Sequence, residues 1–146
     1  MRVARKARAR RRGAMALEFA LIVPVLLSVV FGVIDFGRTI MAIDLMNNVA
    51  RAGARTGALS GRTNADITTV VDNALSAASL PARSSSATVL TIAVNGDTSA
   101  NVSTAATDDQ IAVTISAPIG SISWLPTQWI LSRTAVVRGA VTMRRE

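Results

Sequence analysis

One carboxylate in this chain stands where a carboxylate is expensive. In Arg10-Arg11-Arg12-Gly13-Ala14-Met15-Ala16-Leu17-Glu18-Phe19 a basic head stops at a glycine and an apolar run begins. Glu18 interrupts that run five residues after Gly13. A charge at the edge of a membrane-type segment costs free energy, so its presence points to a role. The chemistry open to it is pairing with a cation in low dielectric, where leaving either charge unpaired is costly and the pair therefore fixes register. The plainer alternative is that Glu18 reaches back to the headgroups and does nothing. Gly13 offers bare, flexible backbone that a peptidase can grip. The Arg cluster resists crossing a bilayer and marks the cytoplasmic side.

The remaining composition argues against most other chemistry. The chain has neither cysteine nor histidine, which removes disulfides, thiol nucleophiles, Ser-His or Cys-His dyads and the usual zinc sets. The acids are scattered, and Asp108-Asp109 reads as a solvated turn because neighbours on a strand point to opposite faces. No catalytic residue, metal site or cofactor is expected. The net charge of +7 is misleading as a sign of a polyanion partner. Seven of the sixteen basic groups lie in residues 1–13, which hold no acid. The other nine are balanced by the nine acids, so residues 14–146 are neutral, without tyrosine, and make a poor nucleic-acid surface.

These residues need elements to position them. Residues 1–13 form a basic leader, expected to be disordered or at most a frayed helix without a partner. Residues 14–34 span about 31 Å as a helix, close to a bilayer core. Pro24 and Gly32 lie inside this span, where membrane segments tolerate them, and Pro24 makes a kink plausible. The basic excess ahead of the run places the N-terminus in the cytoplasm and the rest outside. Asp35 and Arg38 are spaced for an i,i+3 pair at the outer interface.

Helical patterning continues to Gly61. Met41, Leu45 and Asn48 lie on one side, and Ile43, Met46, Val49 and Ala50 add an apolar stripe. Two small-residue ladders follow, Ala50, Ala54, Ala58 and Gly53, Gly57, Gly61. Spacing of four puts each on one helix face, open to close packing. The competing reading is a tapering helix end with Gly61 as its stop.

Beyond Gly61 about 85 residues remain, enough for one small α+β domain over residues 62–146. Ile67, Val70, Val71, Ala74, Leu75 and Ala78 follow an amphipathic helical period. Thr63 or Asn64 is placed to cap this helix, Asp66 sits in its first turn and Pro81 ends it. Strand alternation runs through Leu90, Ile92 and Val94, with a turn at Asn95-Gly96-Asp97, and again through Ile111, Val113 and Ile115. A loop is expected over residues 118–126 and an edge or closing strand over residues 132–143. Trp124 and Trp129 read as small-core residues. The expected architecture is a long N-terminal transmembrane helix, then one amphipathic helix and an antiparallel sheet of three or more strands.

By Phe19 the pattern resembles a type IV prepilin: a basic leader, a glycine at the cut and a glutamate fifth in the mature chain. Ala16-Leu17-Glu18-Phe19-Ala20-Leu21-Ile22-Val23-Pro24-Val25-Leu26-Leu27, Gly32-Val33-Ile34-Asp35-Phe36-Gly37-Arg38 and Ala50-Arg51-Ala52-Gly53-Ala54-Arg55 sharpen this. Together they look like the TadE family, minor pseudopilins of the Tad (Flp, tight adherence) pilus. Arg138-Gly139-Ala140-Val141 suits it more weakly, and Asp35 stands where a glutamate is common. The specific part covers residues 10–58, about a third of the chain, and leaves open TadE or its sister pseudopilin TadF.

The resemblance implies cleavage between Gly13 and Ala14 by a prepilin peptidase. It implies assembly through Glu18 and Phe19, with Glu18 pairing the Ala14 amino group of a neighbour. The implied partners are other pilins and pseudopilins, the Tad inner-membrane machinery and the lipid bilayer, with residence as a single-pass protein of the bacterial cytoplasmic membrane. Two other classes compete: an uncleaved signal-anchored envelope protein whose outer domain binds another envelope component, and a secreted soluble protein. The second lacks a small-x-small cleavage site after the apolar run.

Overall fold

The computed structural model describes residues 2–78, 80, 88–122 and 135–146, with side chains from Met15 onward. Helix α1 covers Arg2–Ala58 and helix α2 Asn64–Ala77. Strands β1 (Val89–Val94), β2 (Gln110–Pro118) and β3 (Val136–Arg144) complete an α+β fold, with short 3-10 turns at Val102–Thr104 and Ile119–Ser121. The chain forms two compact units, Met1–Phe36 and Gly37–Glu146. The first is helix alone. The second combines the last part of α1 with α2 and the sheet.

Helix α1 departs from expectation at both ends. It begins at Arg2, within the leader for which composition argued disorder or fraying. Alanine and arginine are good helix formers, and turns added to an existing helix need no new nucleus. It stops at Ala58, and Gly61 follows in the left-handed region at φ +76°. Gly61 thus lies beyond the helix, where a residue without Cβ is suited to the turn. The carbonyl of Ala58, left without a helical partner, accepts from the backbone N–H of Glu146 at 3.0 Å.

Helix α2 starts with a reciprocal cap. The Thr63 hydroxyl accepts from the Asp66 amide, and the Asp66 carboxylate accepts from the Thr63 amide at 2.9 Å. Ile67, Val71 and Leu75 are buried at the expected spacing. The helix ends at Ala77, while Pro81 lies outside the described residues.

The sheet is antiparallel in the order β1-β2-β3. Its register sets Leu90, Ile92 and Val94 opposite Ile115, Val113 and Ile111, and these opposite Gly139, Val141 and Met143. Period-2 alternation therefore turns one continuous apolar face inward. On β2 this face is fully buried at Ile111, Val113, Ile115 and Ala117. Among the described strands β3 pairs only with β2, as an edge, and begins at Val136. Pro118, expected to open a loop, is the last residue of β2, a position that tolerates a missing N–H. Trp124 and Trp129 lie outside the described residues.

At the end of β1, Asn95 and Gly96 adopt φ of +52° and +88° while Val94 and Asp97 exchange two backbone hydrogen bonds of 3.0 and 2.9 Å. This is the left-handed two-residue reversal that Asn-Gly favours. The chain then passes through Val102–Thr104 before returning as β2. Val102 is buried in the core, and its carbonyl accepts from the guanidinium of Arg145, itself nearly buried. Asp108 pairs with Arg144 at 2.8 Å, both exposed.

Carboxylates close three of these loops. Asp66 is held below the usual carboxylate range first by the Thr63 amide and then by the Thr63 hydroxyl. Asp97 is lowered by the Ser99 hydroxyl and then the Ser99 amide, and Asp109 by the Asn95 side chain and then the Ala106 amide. A depressed folded pKa means that the stabilisation is present above the unfolded value and is lost as pH falls through the folded one. The expected outcome is that protection factors of the Thr63, Ser99 and Ala106 amides are constant near neutrality and fall below about pH 4. Hydrogen exchange measured across that range checks this, and pH-independent protection would contradict it.

Candidate functional site

The sequence singles out two stretches of α1, and they lie in different surroundings. From Met15 onward the helix contains a window of mean hydropathy 2.6, none of it buried within the chain. Leu17, Phe19, Leu21, Val25, Val29 and Val33 are all exposed. A helix apolar on every side, uncovered by the described residues, has the composition and length to cross a membrane. Pro24 lies inside it, and its carbonyl accepts the Ser28 hydroxyl at 2.7 Å. Such a side-chain bond helps satisfy backbone in a segment interrupted by proline.

Glu18 is exposed on this segment, between Leu17 and Phe19. Gly13 and Ala14 belong to the same continuous helical backbone. Four residues separate Ala14 from Glu18, which puts them on one helix face about 6 Å apart along the axis. A cut after Gly13 would leave the new amino group one turn from the carboxylate. Both charges would then stand within one turn of an apolar helix.

The small-residue stretch is consumed inside the chain. Ala50 and Ala54 are fully buried and Ala58 nearly so. A Cβ at Gly53 would come within 2.9 Å of Val71 Cγ2 and 3.3 Å of Val113 Cγ1. At Gly57 it would meet Ile67 Cδ1 at 2.8 Å and Ile111 Cγ2 at 3.1 Å. The two glycines thus admit side chains of α2 and β2, and α1 and α2 lie on the same face of the sheet. Gly61 takes no part, since a Cβ there meets nothing within 4 Å.

Sequence reasoning missed the tightest approach. A Cβ on Gly139 would lie 2.6 Å from the Met46 carbonyl carbon, 2.7 Å from the Asn47 nitrogen and 2.8 Å from the Met46 oxygen. Strand β3 therefore rests against the backbone of α1. The available signal was a glycine in the middle of an alternating strand, which marks close approach of another backbone.

Residues 13–55 match the family described as TadE-like protein. Over this stretch the chain is similar to that family. The match opens on Gly13, takes in Glu18 and the apolar segment, and ends two residues past Gly53. No curated protein and no solved structure matches the chain.

The glycines differ in how forgiving they are. At Gly139 an added methyl meets backbone, which cannot give way, so Gly139→Ala is expected to destabilise by about 1–3 kcal/mol. At Gly57 it meets the far end of the Ile67 side chain, and the gain in helix propensity, about 1 kcal/mol, offsets the crowding. Urea unfolding of the full chain in detergent should rank Gly139→Ala well below Gly57→Ala. The reverse order would contradict the packing described.

Proposed function

We propose that this chain is a minor pseudopilin of a Tad (Flp) pilus, processed after Gly13 and acting in pilus assembly and tight adherence rather than in catalysis. The supporting observation is where the TadE-like match begins. Its first residue is Gly13, the glycine that divides the basic leader from the apolar segment. The same match carries Glu18 on a helix whose apolar sides are left exposed by the described residues.

The proposed mechanism has three steps. Residues 1–13 hold the N-terminus in the cytoplasm, and the α+β unit lies outside the membrane. A prepilin peptidase cuts between Gly13 and Ala14, removing seven positive charges and creating a cationic amino group on Ala14. That amino group and Glu18 of a neighbouring pilin or pseudopilin then pair in low dielectric. Leaving either buried charge unpaired is unfavourable, so the pair selects one register among many that apolar packing alone would permit. Phe19 contributes apolar surface beside the pair.

N-terminal sequencing of the mature protein tests the reading, in wild type and in Glu18→Ala. Both should begin Ala14-Met15-Ala16, because residue 18 lies beyond the cut bond. The variant should accumulate normally yet fail to support pili, since removing a carboxylate lowers the cost of membrane residence by a few kcal/mol at most. An intact Met1 start would favour an uncleaved anchor instead. Normal piliation by Glu18→Ala would make the carboxylate a bystander.

A further inference from the structure

One dipeptide of the chain carries a covalent chemistry of its own. In Asn95-Gly96 a side-chain amide is followed by a backbone nitrogen that no neighbouring Cβ shields. The Gly96 nitrogen is placed in sequence to attack Asn95 Cγ. An N–Cγ bond forms, the Cγ–Nδ2 bond breaks, and ammonia leaves with the proton that the Gly96 nitrogen gives up. The product is a cyclic imide. Water then opens the ring at Cγ to give aspartate, or at the Asn95 backbone carbonyl to give isoaspartate, whose main chain runs through the side chain. The sum is one ammonia lost and one water gained, with no oxidant or reductant.

The surroundings admit this reaction on one side and oppose it on the other. Asn95 and Gly96 are exposed, and a Cβ on Gly96 would meet nothing within 4 Å, so water has access. Against this, the Asn95 amide is tied at both ends. Its Nδ2 donates to Asp109 Oδ1 at 2.8 Å, and its Oδ1 accepts from the Gln110 backbone N–H at 2.9 Å. Its backbone N–H donates to the Gln110 carbonyl at 2.8 Å. The reversal is closed by the two Val94–Asp97 bonds, with Asn95 at φ +52°. In a left-handed residue the next nitrogen stands anti to Cβ across the Cα–C bond. A planar imide needs the two on the same side, so the reversal must unwind before the ring can close.

Asp109 adds a chemical obstacle. Its carboxylate is held below the usual range, first by the Asn95 side chain and then by the Ala106 amide. At neutral pH it accepts and does not donate, so it offers no proton to the departing nitrogen. Conversion would undo this arrangement. Aspartate tolerates the left-handed backbone, but it sets a second carboxylate against Asp109 Oδ1, where Nδ2 now stands. Two carboxylates at that distance repel, and one must protonate or move. Isoaspartate lengthens the main chain of a two-residue reversal and displaces the pairing with Gln110.

We propose that Asn95 is a latent deamidation site, closed in the folded unit by its left-handed turn and its bonds to Asp109 and Gln110, and reactive only when this loop unwinds. Water is the sole co-reactant. The reaction does not reverse. A chain that opens here is converted to a form in which the Asn95–Asp109 bond can no longer be made, so a transient local opening leaves a permanent mark.

Peptide mapping by mass spectrometry follows the amide-to-acid conversion at residue 95 in the full chain, in detergent at neutral pH. Folded wild type should convert at least about tenfold more slowly than the same chain with its α+β unit unfolded by urea. Asp109→Ala should convert about threefold faster than wild type. Asp108→Ala, whose carboxylate pairs with Arg144 instead, is the control and should match wild type. Asp109→Asn keeps the size and one acceptor oxygen. It should fall between wild type and the unfolded chain, and it decides the matter if Asp109→Ala does not fold. Equal rates in folded and unfolded wild type overturn the proposal, as does a folded Asp109 variant no faster than wild type. Hydrogen exchange of Asn95→Asp reads the consequence. The Ala106 and Gln110 amides should lose protection while those of Ala50 and Val113 keep theirs. Full protection at Ala106 and Gln110 in that variant overturns the permanent mark.

Discussion

The carbonyl of Met46 and the amide of Asn47 lie against Gly139 so closely that any side chain at this one position would strike backbone. Much of the fold follows from that approach. It seats α1 on the inner face of β3, which fixes the side of the sheet both helices must cover. It aligns Gly53 and Gly57 with Val113 and Ile111 of β2, and so makes room for Val71 and Ile67 of α2. The alanines between them, buried and small, keep the helix close to the sheet. A larger residue at any of these positions would widen the gap and forfeit dispersion contacts along its whole length.

The same helix serves two environments with two residue sets. From Phe19 to Ile34 it is uncharged and apolar on every side, suited to lipid. From Ala42 it is small where it meets the sheet and polar where it meets water. The ladder of glycines and alanines, typical of helix pairing in membranes, is here satisfied within the chain. The segment around Glu18, unlike the ladder, stays uncovered by the described residues. The TadE-like match embraces both stretches, and the functional proposal depends on their being parts of one helix.

Much of this was legible in the sequence because its signals are local. The period of Ile67, Val71 and Leu75, a cap at Thr63 or Asn64 and the alternation of β1 and β2 each depend on neighbours within a few residues, and the structure selects Thr63. Glu18 stood out because its cost does not depend on tertiary structure. The missing features are long-range. Nothing near Gly139 in the chain names Met46 as its neighbour, and nothing near Arg145 names the Val102 carbonyl. Gly61 fitted the ladder by spacing alone, yet the helix had already ended and the left-handed turn claimed it. The helical leader was missed because composition was weighed without the nucleus that α1 supplies.

The central structural claim is that residues 42–58 of α1 belong to the cooperative core of the α+β unit, held there by the approach at Gly139. Native-state hydrogen exchange of the full chain in detergent measures this directly. Amides of Ala50, Ala54 and Val113 should exchange through one opening, with the same free energy and the same denaturant dependence, and Gly139→Val should lower all three together. If the helix amides keep their protection in that variant while Val113 loses its own, helix and sheet are separate units and the account of the fold is wrong.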